Sequence, residues 1–122
     1  MGKPPWEECK VVKLVNLTPH EVTVIKEDGE EVSIPPSGEV ARVYPRQEII
    51  GEINDIPVVQ TVFEDIEGLP DPEECTVYIV STLVLQALQG ERDDVVAPDT
   101  GPESAVRDKE GRIVAVKRFQ VI

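Results

Sequence analysis

The stretch Thr76-Val77-Tyr78-Ile79-Val80-Ser81-Thr82-Leu83-Val84-Leu85-Gln86-Ala87-Leu88-Gln89-Gly90 is where the hydrophobic period of this chain changes, and its reading decides the fold class. Residues 76–80 form a short apolar run of the kind buried on both faces of a sheet. Ser81 and Thr82 then offer a hydroxyl for a helix N-cap. Leu83, Val84, Ala87 and Leu88 share one helical face, and Gly90 lies just past the end. The spacing predicts one helix of about two turns, and it is the only convincing helix in the chain.

Outward from this stretch every other pattern reads as strand and turn. Towards the N-terminus, residues 9–17 (CKVVKLVNL) predict a strand, and Thr18-Pro19-His20 a break. In residues 21–26, Val22 and Val24 alternate with Glu21 and Thr23. Asp28-Gly29 supplies the positive φ of a hairpin turn, with a return strand over 31–34. Pro35-Pro36-Ser37-Gly38 is a second turn, followed by an expected strand over 39–44 that Pro45 stops. Residues 48–53 and 56–63 flank Asn54-Asp55 as another hairpin, with Pro57 at a strand start or edge. Residues 64–74 form an acidic loop. Towards the C-terminus, strands are expected over 94–97, 104–107 and 112–121, separated by turns at 98–102 and at Glu110-Gly111. Residues 1–8 read as an irregular lead-in in which Trp6 covers an edge of the core. The sum is a single domain over residues 1–122. It is mainly β, a sandwich or small barrel of short antiparallel strands, with one short α-helix.

Composition agrees. A chain of 122 residues has room for one core. Aromatic residues make up only 4 %, so valine, isoleucine and leucine must build that core, and β-branched side chains suit strands. Twelve basic against twenty-four acidic residues give a formal charge of −12, which argues against nucleic acid and against an acidic membrane surface as partners. The first ten residues contain no apolar run like that of a signal peptide, and no stretch is long enough to cross a bilayer, so a cytoplasmic protein is expected. Cys9 and Cys75 share a Glu-Glu-Cys context before a strand. If those strands are neighbours running the same way the two sulfurs can meet; two separate buried thiols are the more usual outcome in a cytosol. A single histidine rules out a Cys/His zinc site within one chain, and no cofactor is expected. High Glu and Lys content and eleven prolines lean towards a thermophilic source.

Few residues carry recognisable chemistry. Asp99-Thr100-Gly101 matches the Asp-Thr-Gly string of aspartic peptidases, but prolines on both sides make it a turn in which aspartate accepts backbone N–H bonds. His20 is the only side chain whose ordinary titration lies near neutrality. Asp93, Asp94, Asp99 and Glu103 lack the spacing of a calcium loop and read as solvated. Ser81 and Thr82 open a helix, where free N–H groups attract an anion, and Arg92 lies just beyond the same helix. Two functional classes have a positive signal; a structural protein of a virus-like particle is a third that fits the size and acidity without one. The first is a non-catalytic binding or assembly domain that forms homo-oligomers; its apolar terminal strand (Ile113 to Val116, then Phe119, Val121 and Ile122) either is buried against another copy or folds back with residues 119–122 on the domain's own core. The second is a small enzyme or a protein for a small anionic ligand, with its site among His20, Ser81, Thr82, Arg92, Asp99 and Thr100.

Asn16-Leu17-Thr18-Pro19-His20, Pro35-Pro36-Ser37-Gly38, Gly68-Leu69-Pro70, Tyr78-Ile79-Val80-Ser81 and Pro98-Asp99-Thr100-Gly101-Pro102 together resemble a pattern found in short uncharacterised proteins of bacterial, phage and archaeal genomes. The resemblance covers nearly the whole chain. It implies a small accessory or phage-linked role and brings no catalytic residue with it.

Overall fold

Branched aliphatic residues in unbroken runs build the centre of the molecule, and alternating runs build hairpins around it. The computed structural model describes residues 5–122. Its strands are β1 (Lys13–Asn16), β2 (Val22–Ile25), β3 (Glu31–Ile34), β4 (Pro45–Ile53), β5 (Ile56–Phe63), β6 (Thr76–Ile79), β7 (Val95–Pro98), β8 (Val106–Arg107), β9 (Ile113–Ala115) and β10 (Phe119–Gln120). One helix, α1 (Thr82–Leu88), lies between β6 and β7. The fold is mainly β with one short helix.

The central sheet has the order β1-β6-β7-β10. Here the expectation of antiparallel strands throughout is corrected. β1 pairs with β6, and β6 with β7, in parallel, and only β10 runs antiparallel, against β7. The reason lies in the residues. β6 is buried at every position and β7 at all but its last, and a helix connects them, as a parallel crossover requires. The antiparallel expectation holds for the three two-stranded sheets, β2-β3, β4-β5 and β8-β9.

Both faces of the central sheet are apolar. On one, Leu17, Tyr78, Val80, Val95 and Ala97 pack with Val84, Leu85 and Leu88 of α1 and with Ala41 and Val43. On the other, Val77, Ile79 and Val96 pack with Val22 and Ile34 of the β2-β3 hairpin. That hairpin turns at Gly29, whose φ is +87°.

Several boundaries differ from the sequence expectation. Residues 39–44 form no strand. Arg42 makes an isolated bridge with Glu67, closed by two backbone bonds of 2.8 Å, because its neighbour is the acidic loop. Gly68 permits this close approach, since a Cβ there would collide with the Val40 carbonyl. Pro45 begins β4 instead of ending a strand, in keeping with its missing N–H. The strand expected over 9–17 is shortened to β1. It is preceded by a 3-10 turn at Pro5–Glu8, where an irregular lead-in was expected, and residues 1–4 of that lead-in lie outside the described residues. The strand expected over 112–121 is broken in two, because the N–H groups of Lys117 and Arg118 bond to Ser104. Ile113 and Val114 are exposed, and β10 folds onto its own sheet.

Cys9 and Cys75 are joined in a disulfide, with Cα atoms 5.7 Å apart. The expectation of two separate thiols is therefore corrected. Parallel pairing of β1 with β6 (Lys13 opposite Thr76) brings the two Glu-Glu-Cys segments to the same end of the sheet. Among the described residues no helix is long and apolar enough to cross a membrane.

Candidate functional site

The residues singled out in the sequence take part in local structure; His20, Ser81 and Asp99 follow the carboxyl ends of the parallel strands β1, β6 and β7. His20 is exposed, and its carbonyl accepts bonds from Asn16 Nδ2 (2.8 Å) and Thr18 Oγ1 (2.9 Å). Ser81 caps α1, its side chain accepting from the Val84 N–H at 3.3 Å, and Thr82 is the first residue of the helix. Arg92 grips Asp94 through two bonds of 2.8 Å and donates a third to the Pro70 carbonyl. Its hydrogen bond to Asp94 raises the Arg92 pKa. An anion at Arg92 would have to displace a buried carboxylate. Asp99 Oδ1 accepts from the Gly101 N–H at 3.0 Å and Oδ2 from Arg118 Nε at 2.6 Å, with Glu103 also on Arg118. The Asp-Thr-Gly string is thus a turn pinned to the C-terminal segment. Ser81 lines a hollow with Thr18, Pro19 and Arg42, whereas Thr100 lines a different one with Glu21 and Val22.

Two other features stand out. The first is an apolar groove on the face of the central sheet that β2-β3 covers only in part. Each strand of the sheet contributes one side chain to its floor: Leu14, Val77, Val96 and Phe119. Trp6, Val12 and Val121 form the rim. Its volume is about 420 Å³, and among the described residues no charged one lines it. The Cys9–Cys75 disulfide ties the segment between Trp6 and Val12 to the end of β6.

The second feature is the β4-β5 hairpin. Its turn residues Asn54 and Asp55 have φ of 50° and 65°, the geometry of a tight primed turn. At its base Arg46 bonds Glu48 (2.6 Å) and Glu64 (2.9 Å), and Phe63 packs against the main core. Beyond the base it is an arm. Every residue of β4 is exposed, and Ile49, Ile50, Ile53 and Ile56 are 60–73 % exposed. The hairpin forms a two-stranded sheet of its own, so both outer edges lack a strand neighbour among the described residues. The sequence signal was present in Ile49-Ile50 and Ile53-Asn54-Asp55-Ile56, apolar residues around a tight turn. The hairpin was legible from it; the exposure of its aliphatic side chains was not.

Comparison with protein-family models, with curated proteins and with solved structures finds no match to this chain.

Proposed function

We propose that this chain is a non-catalytic assembly module whose β4-β5 arm joins it to further copies of itself. The observation that carries the reading is the exposure of branched aliphatic side chains on a hairpin whose outer edges have no strand neighbour among the described residues. A two-stranded hairpin alone is marginally stable in water and gains stability from a third strand or a packed face. With Val59, five apolar residues are exposed on the arm. They lie on both faces of the arm, Ile53 and Ile56 on one and Ile49 and Val59 on the other. Assembly accords with the accessory role implied by the resemblance noted above.

The terminal strand, the other candidate for self-association, is largely engaged. Phe119 and Gln120 pair with Pro98 and Ala97 of β7, which leaves only Val121 and Ile122 exposed at the end.

Sedimentation of the intact chain against the double variant Ile53→Lys/Ile56→Lys tests this reading. The intact chain is expected to sediment as an oligomer. The variant is expected to be monomeric with an unchanged circular dichroism spectrum, because these side chains lie in solvent. Association should also strengthen with salt, which screens repulsion between copies of charge −12. An intact chain that stays monomeric over a wide concentration range refutes the proposal.

A further inference from the structure

We infer that the groove on the central sheet receives the β4-β5 arm of another copy, so that assembly joins two different surfaces of the chain. The inference rests on the assembly reading and specifies its contact.

The first argument is chemical. A copy of charge −12 can approach another without burying carboxylates only where acidic residues are sparse. Among the described residues the groove is lined by apolar side chains alone, and the distal arm, residues 49–59, has only Glu52 and Asp55 as charged residues.

The second argument is shape. The pairing register sets Ile53 opposite Ile56 and Gly51 opposite Val58. Alternation along β5 places Ile56 and Val58 on one face, with Ile53 beside them and no side chain at Gly51. The arm tip therefore presents a ridge of three branched side chains. An apolar cavity of about 150 Å³ admits a benzene ring. The groove, at about 420 Å³, has room for such a ridge. Two convex arms laid against each other would leave both grooves open to water.

The third argument is reach. Nine residues of β4 at about 3.3 Å each span some 30 Å. An arm of that length extends well past its base and can enter a neighbour. Contact between unlike surfaces closes as a reciprocal pair or as a ring.

The test is complementation. Leu14→Glu/Val121→Glu blocks the groove at one floor and one rim position, both exposed to solvent, and Ile53→Lys/Ile56→Lys disables the arm. Each variant alone is expected to associate at least about tenfold more weakly than the intact chain. The two mixed together are expected to form one-to-one dimers, because an intact groove then meets an intact arm. The single tryptophan gives an independent reading. When the arm donor also carries Trp6→Phe, only the receiving groove holds an indole, and its emission should shift to the blue on mixing. A groove variant that assembles as tightly as the intact chain shows arm packing on arm. That outcome overturns this inference and leaves the assembly reading in place. A monomeric intact chain overturns both. Mixed variants that fail to associate, or an unmoved Trp6 emission, also overturn the inference.

Discussion

Asn16 shows what a single residue does in this fold. It is 1 % exposed, and each hydrogen-bonding position of its amide is used. Nδ2 donates to the His20 and Ile34 carbonyls at 2.8 and 3.0 Å. Oδ1 accepts from the Thr18 N–H and Thr18 Oγ1 at 2.9 and 2.7 Å. One side chain thereby fastens the Thr18-Pro19-His20 break and the end of β3 to the central sheet. A carboxylate cannot donate to the two carbonyls and would be buried without a cation. Asn16→Asp is accordingly expected to lower stability at neutral pH by about 2–4 kcal/mol. Urea unfolding of the two proteins measures it, and a loss below about 0.5 kcal/mol contradicts the bonding described. In the sequence, the string Asn16-Leu17-Thr18-Pro19-His20 drew attention to its histidine. The residue that matters structurally is the asparagine four positions earlier, because the carbonyl it holds on β3 is 18 residues away.

Among the elements, the turn from Pro98 to Ser104 joins β7 to the C-terminal segment. Ser104 is wholly buried and its Oγ accepts from the N–H groups of Lys117 (2.9 Å) and Arg118 (3.2 Å). The Arg118 guanidinium, helped by the Gly101 N–H, holds the Asp99 carboxyl below its usual range. A carboxyl whose pKa is lower in the folded chain adds stability that is present above the unfolded value of about 3.9. This contribution is lost as pH falls through the folded value. Asp99→Asn should therefore flatten the decline of stability below about pH 4. Urea midpoints for both proteins across the acid range check this, and identical pH dependence in the two would refute it. The group is largely solvent-facing through Arg118, so the expected effect is small.

For the whole molecule, the disulfide has the longest reach. It links residues 66 apart in sequence and, by the chain-entropy argument, restricts the unfolded chain by about 4 kcal/mol. Reduction should lower Tm by roughly 15 °C. It should also shift Trp6 emission to the red, because the segment that carries the groove rim is no longer tied down. Calorimetry and fluorescence with and without a reductant test both, and a Tm unaffected by complete reduction contradicts the role assigned to the bond. The argument from cysteine usage for a reducing compartment no longer applies once the two sulfurs are joined.

What the sequence by itself determined are the features set by neighbours a few residues apart. Asp28-Gly29 and Asn54-Asp55 supply the positive φ of their hairpin turns. Ser81 and the apolar spacing after it make α1, with Gln89 taking the left-handed position just before Gly90. The branched aliphatic composition makes the remainder β. The tertiary structure alone decided which strands became neighbours. Parallel pairing of β1, β6 and β7, the Cys9–Cys75 bond and the groove floor drawn from four strands all join residues far apart in the chain. No turn signal fixes such partners, because they are selected by the burial of apolar faces against one another. The same competition left the distal β4-β5 arm exposed: its alternation reads like that of any hairpin, and only burial in the folded chain shows that Phe63 at its base packs on the core while Ile49, Ile50, Ile53 and Ile56 face solvent.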